Sequence, residues 1–277
     1  MKKMLFLLLI VTVVTSTSYS QSIPIPRNLQ KGYANGTRSL TGEPGPNYWQ
    51  NKAVYKLRAN FDPATRLLVG DAEIVYQNNS PDTLKEIIFG VKQDLFKKGE
   101  ARNTAVAAAD VHDGVILNKV VLNGVEVSGE KIMRQNTLGQ IPALIPPGGS
   151  AKLEMEWSFT HPFEQKLRFG TYDSASFFVA YWYPQICVYD DLGKWNRYPT
   201  DGEHEFFNEF ADYEVSITVP SDYVVWGTGS LLNGDKNLKS EILKRLDKMM
   251  QQDELVVIAE KSEFLQKKVT NTDKPML

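Results

Sequence analysis

The chain has 277 residues, 42% hydrophobic and 23% charged, with 14 prolines and 19 glycines; this composition belongs to a folded globular protein and excludes a disordered, collagenous or multi-span membrane chain. A net charge of −2 supplies no basic field to attract nucleic acid. One cysteine, Cys187, and three scattered histidines, His112, His161 and His204, exclude an internal disulfide framework and a histidine-rich metal site.

Lys2 and Lys3, an apolar run over 4–14 and a small, polar stretch over 15–20 have the plan of a secretory signal peptide, with Ser18 and Ser20 three and one residues before a cut at Gln21. The apolar run falls well short of the roughly 20 residues that a spanning helix needs. The chain is therefore expected to be exported, to the periplasm or the cell exterior, with no membrane span after cleavage. Residues 21–47 are rich in proline and glycine and poor in periodic apolar residues, which predicts an extended arm.

From residue 48 to 277 the pattern is that of one β-domain. Tyr55, Leu57, Ala59 and Phe61 alternate with polar residues, as do Ala72, Ile74 and Tyr76, and most strictly Leu153, Met155, Trp157 and Phe159. A period of two places each set on one face of a half-buried strand. Asn123-Gly124, between Val120-Val121-Leu122 and Val125-Glu126-Val127, predicts a tight hairpin, because both residues tolerate positive φ. Further strands are expected at 177–182, 213–219, 223–226 and 255–259. Ile242, Leu243, Leu246, Met249 and Met250 recur at helical spacing, so 238–252 is expected to form one amphipathic helix. The predicted fold is all-β: an antiparallel, saddle-like sandwich with one short helix near the C-terminus.

Chemistry is sparse. His204-Glu205-Phe206-Phe207-Asn208 departs from the zinc-protease pattern H-E-x-x-H at its last position, where an amide is a poor zinc ligand, and the third ligand of that arrangement would fall at Gly227. No G-x-S-x-G elbow occurs, and Cys187 has no local histidine. Acidic residues cluster between Asp190 and Asp212 without a spacing that establishes a paired-carboxylate site. Aromatic residues are dense from Phe177 to Tyr198 and include Trp182, Tyr183, Tyr189 and Trp195. Such rings either fill a core or form a platform that stacks on a sugar or a peptide side chain.

Several segments together resemble the N-terminal β-domain of the M1 (gluzincin) zinc aminopeptidases. They are Ala53-Val54-Tyr55-Lys56-Leu57-Arg58-Ala59-Asn60-Phe61-Asp62, then 70–84, the aromatic-proline stretch Tyr181-Trp182-Tyr183-Pro184 with Tyr189-Asp190-Asp191, and 210–229, while the leader 42–50 is similar to that of secreted bacterial members. The resemblance covers about residues 42–260. It implies a saddle-shaped domain forming one wall of a peptide cleft, with zinc held only by a separate catalytic domain whose G-x-M-E-N and H-E-x-x-H motifs do not occur in this chain. The expected function is thus an exported, non-catalytic counterpart of a peptide-trimming enzyme's first domain, truncated before the catalytic one. A stand-alone carbohydrate- or peptide-binding module is the alternative. In the family a Gln or Glu ahead of the aromatic-proline stretch helps to hold the substrate α-amine; Asp173 is the only acidic candidate in that place here. Asp173, from the resemblance, and Trp182, Tyr183, Tyr189 and Trp195, from the aromatic cluster, are the candidate peptide or ligand contacts. No cofactor is expected in this chain, and its partner is expected to be a zinc-peptidase domain or a second copy meeting it through an uncovered sheet edge.

Overall fold

The computed structural model describes residues 24–164 and 168–271, so the signal peptide expected at 1–20 lies outside the described residues. The chain divides into two compact units, Met1–Tyr48 and Trp49–Leu277. In the first, the arm expected to be extended carries a helix, α1 (Arg27–Ala34), opened by the Leu29 and Gln30 amides bonding to the Pro26 carbonyl at 3.0 and 3.3 Å. Proline suits a helix start, where its missing N–H removes nothing. Behind α1 the chain doubles back, with the Gly45 amide donating to the Thr37 carbonyl at 2.9 Å.

The second unit is a layered β-structure. Its strands are β1 (Lys52–Asp62), β2 (Leu67–Gln77), β3 (Leu84–Gly90), β4 (Ile116–Leu122), β5 (Val125–Glu126), β6 (Met133–Gln135), β7 (Leu138–Ile145), β8 (Ser150–Thr160), β9 (Phe169–Thr171), β10 (Phe177–Val179), β11 (Gln185–Ile186), β12 (Tyr189–Asp190), β13 (Lys194–Trp195) and β14 (Ala211–Thr218). A six-stranded sheet runs β14-β1-β2-β8-β4-β5 and a four-stranded sheet runs β11-β3-β7-β6, with β9-β10 and β12-β13 as separate hairpins. The architecture is all-β and mainly antiparallel, as the alternation requires. One pair departs from it: β14 lies parallel to β1.

The three long strands β1, β2 and β8 hold the sequence's register. In β1 every second residue from Ala53 to Phe61 is buried, and in β8 the buried set is Ala151, Leu153, Met155, Trp157 and Phe159. These side chains join Ile87 and Phe89 of β3 and Ile141 of β7 in one core cluster, so the two sheets share a single interior. The opposite face of the large sheet carries charges paired across strands: Arg58 with Asp71 at 2.7 Å, Lys152 with Glu73 at 3.0 Å and Lys119 with Glu156 at 3.4 Å. The Asn123-Gly124 hairpin forms as expected, at φ +51° and +81°.

Two expected strands are absent. Residues 223–226 and 255–259 have no ladder partner, and Leu255 stands almost wholly in solvent. Strand propensity records fit to a pleated, half-buried surface and cannot supply the neighbour. The expected helix is present as α3 (Ser240–Met250), preceded by the single turn α2 (Gly234–Asn237) and followed by α4 (Lys261–Leu265). Ile242 is buried, and Leu243 and Leu246 pack against the core, while Met249 and Met250 face solvent. Arg245 grips Glu263 with two bonds of 2.7 and 2.8 Å, tying α3 to α4.

Candidate functional site

The aromatic-proline stretch follows β10 and is redirected at Tyr181, which adopts φ +52°, a conformation rare for a side chain of this size. The turn sends Trp182 and Tyr183 toward the large sheet. The Trp157 indole N–H donates to the Trp182 carbonyl at 2.8 Å, and the two indoles lie 6.1 Å apart. Tyr183 meets Tyr55 edge-on at 5.8 Å and Tyr213 at 6.0 Å; Tyr55 stacks on Tyr213 at 5.0 Å. The hydroxyls of Tyr183 and Tyr213 are 3.3 Å apart, and the Gln185 amide donates to the Tyr213 hydroxyl at 3.3 Å. Burial raises the pKa values of Tyr55 and Tyr183 above the ordinary phenol range. These phenols are neutral hydrogen-bonding groups, suited to polar recognition and not to proton transfer near neutral pH.

This cluster stands at the β14 edge of the large sheet. Tyr213 and Val215 pair in register with Tyr55 and Leu57 and share their face, yet they are 44% and 47% exposed where the β1 residues are 2% exposed. In the sheet β14 has a neighbour on one side only. The arrangement offers a row of backbone donors and acceptors beside an open apolar strip, the geometry that takes up an additional extended strand.

The other three candidates lie apart from this edge cluster or inside the core. Tyr189 and Trp195 sit on the β12-β13 hairpin, each 7% exposed, with rings 5.2 Å apart and Trp195 stacked on Tyr76 at 6.1 Å. The Tyr189 hydroxyl donates to Asp82 at 2.9 Å. Neither ring presents a face to solvent, which removes them from a sugar-stacking platform. Asp173 occupies the exposed β9-β10 turn, where it accepts the Ala175 amide at 2.8 Å; that bond and one from Ser176 hold its carboxyl below the usual range. Its polar contacts belong to its own turn.

His204 and Glu205 are drawn into different ion pairs. The His204 Nδ1 lies 2.6 Å from Asp201, and Glu205 pairs with Arg168 at 3.0 Å. Among the described residues no three His, Cys, Asp or Glu side chains are grouped to hold a metal ion, so those residues do not fit a zinc site.

Sequence reasoning passed over Tyr213 and Gln185, which complete the edge cluster, and Lys92, which is buried beside it. The signal for Lys92 was a lysine standing between the apolar run 87–91 and Leu95-Phe96. Asp94 and Asp110 were also missed. Both are buried braces: Asp94 accepts the Val115 amide at 2.7 Å and pairs with Arg134, and Asp110 accepts the Glu164 amide at 2.8 Å.

No family model and no curated protein matches the sequence. Among solved structures, the chain is similar to an M1 zinc metallopeptidase from Deinococcus radiodurans bound to a Tyr-Ser-Ala substrate, at 14% identity and a TM-score of 0.36, over 69% of this chain and 39% of that one. A two-domain M1 zinc metallopeptidase bound to L-tryptophan gives 14% identity and a TM-score of 0.35 over the same shares. Legionella pneumophila aminopeptidase A, in complex with aspartic acid, gives 11% and 0.29 over 49% of this chain and 13% of that one. The chain thus spans about two fifths of the length of the first two structures.

Proposed function

We propose that this chain is an exported β-domain of the M1 aminopeptidase kind, without hydrolytic activity of its own, whose partner is a zinc-peptidase catalytic domain. The open β14 edge carries the reading. Tyr213 and Val215 continue an apolar face that β1 buries, and an unpaired strand edge beside such a strip calls for a cover. The ordered sequence segments at 53–62, 70–84, 181–191 and 210–229 support a catalytic domain of the M1 kind as that cover. Zinc belongs to the partner in this reading, and peptide substrate would run along the wall that this domain supplies.

A second reading rests on the same edge: a stand-alone module that pairs β14 with an extended peptide, using backbone bonds for affinity and the Tyr183–Tyr213 cluster for side-chain choice. The test of the first reading is metal analysis of the purified chain together with hydrolysis of aminoacyl reporter substrates in added zinc. The expected outcome is neither stoichiometric zinc nor turnover. One zinc per chain that disappears in His204→Ala, or turnover by the chain alone, would overturn it.

A further inference from the structure

The six-stranded sheet ends on one side in β14, eight residues long, and on the other in β5, two residues long. Every other outermost strand among the described residues has two or three residues: β6 and β11 in the four-stranded sheet, and both members of each separate hairpin. Very short edge strands guard a fold against stray pairing. Among these edges β14 departs from that rule. Alternate residues of an outer strand turn their amide and carbonyl groups away from the neighbouring strand, so the free side of β14 carries a row of ladder groups as long as the strand itself.

The two faces of β14 differ in chemistry. Tyr213, Val215 and Ile217 are in register with Tyr55, Leu57 and Ala59, all buried, and stand on the apolar face. Asp212 and Glu214 are exposed and in register with Val54 and Lys56 on the solvent face. Neither carboxylate forms an ion pair among the described residues. The cations of that face are engaged away from the edge: Arg58 with Asp71, and Lys152 with Glu73 and Glu154. Lys56 lies beside Glu214, and its charge acts on Glu73 as well. The edge therefore presents unneutralised negative charge on one face and an open apolar strip on the other.

A strand laid against β14 must keep the phase of the sheet, because residues directly opposite each other point to the same face. Its residues opposite Asp212 and Glu214 stand on the charged face, and those opposite Tyr213, Val215 and Ile217 on the apolar one. Opposite charges across a ladder attract and like charges repel. We propose that β14 takes up an extended polypeptide segment in which basic and apolar side chains alternate, its lysines or arginines facing Asp212 and Glu214 and its apolar residues continuing the strip of Val215 and Ile217. The proposal rests on the reading of this edge as one that adds a strand, and names what that strand carries. An acidic segment is repelled, and one without alternation matches only one face at a time. A second copy brings its own Asp212 and Glu214 to the charged face and is a poorer match than a basic strand.

The test uses the whole chain, at concentrations low enough to keep it monomeric, and dye-labelled peptides as long as β14 with blocked ends. In three of them valine alternates with lysine, with glutamate or with serine; in a fourth the lysines and valines are grouped into two blocks. Fluorescence anisotropy should show the alternating lysine peptide binding about tenfold tighter than the serine peptide, with the glutamate peptide weakest. Hydrogen exchange should slow across 211–218 when it binds. In the double variant Asp212→Lys, Glu214→Lys, checked for an unchanged urea midpoint, the lysine and glutamate peptides should exchange places. Equal binding of the three alternating peptides with slowed exchange at 211–218, or an unchanged order in the double variant, would overturn the basic and apolar assignment and leave strand addition standing. Equal binding of the block peptide, binding by none of the four, or slowed exchange elsewhere than β14 would overturn strand addition as well.

Discussion

Gly70 and Trp157 face each other across the β2-β8 ladder, and the pair shows how narrowly the core is filled. A Cβ on Gly70 would stand 2.5 Å from the indole, so the absent side chain is the space that the ring occupies. Gly70→Ala should cost about 1–3 kcal/mol by overpacking. Trp157→Ala should cost about 3–5 kcal/mol, since the ring is fully buried and its N–H is satisfied by the Trp182 carbonyl. Glu156→Ala, one residue away on the solvent face and paired with Lys119 at the surface, should cost less than about 0.5 kcal/mol. Urea midpoints of the three variants check this, and similar midpoints for positions 156 and 157 would disprove the register. His161 supplies a pH test. It is fully buried between the Phe61 and Phe177 rings, near Arg66 and Asp110, and its Nε2 accepts the Gly170 amide at 3.1 Å. Burial lowers its pKa to about 4, against 6.5 in the unfolded chain. The unfolded state therefore binds the proton first: this contribution is complete above pH 6.5, is lost as pH falls toward 4, and reaches about 3 kcal/mol. Unfolding curves between those limits should show the loss in the parent and a shallower one in His161→Gln; equal slopes would exclude His161 as its source.

At the scale of elements, the helix α3 was legible because its apolar residues keep helical spacing, whereas α1 was hidden by its proline- and glycine-rich setting. The helix α3 is held to the core chiefly by Ile242, with Leu238 and Val269 buried alongside and the Arg245–Glu263 pair bracing α4. Ile242→Ala should release this corner at a cost of about 2–4 kcal/mol. Native-state hydrogen exchange would read it as faster exchange across 240–265 with β1, β2 and β8 unchanged, since the long strands draw their stability from a different part of the core. Uniform acceleration across all strands would show instead that the corner and the sheets open together. The segments 223–226 and 255–259 teach the converse lesson. Their valines and aromatic residues suit a strand, but a strand exists only where a neighbour accepts its hydrogen bonds.

At the scale of the whole molecule, the β14 edge is the surface expected to govern association. The purified chain should self-associate with rising concentration in sedimentation velocity, because an apolar strip and an unpaired ladder edge lie side by side. Val215→Lys places a charge in the strip and should keep the chain monomeric, with its urea midpoint shifted by no more than about 0.5 kcal/mol. A parent chain that remains monomeric at every concentration, or a variant that associates equally well, would move the interface elsewhere.

The alternation of apolar and polar residues along 53–61 and 151–159, together with Asn123-Gly124, determined the fold class, the buried face of each long strand and one hairpin, because those features depend on a side-chain period and a local φ that neighbouring residues impose. The parallel partnership of β1 with β14, and with it the edge at which Tyr183, Tyr213 and Gln185 meet, was decided only in three dimensions, since residues more than a hundred positions apart in the chain are joined there by no local signal. The aromatic run from Phe177 to Tyr198 shows the same division. Its composition announced a cluster of rings, but only packing decided that Tyr189 and Trp195 fill the core while Tyr183 reaches the open edge, because burial is a property of what surrounds a ring and a run of aromatic residues does not specify its surroundings.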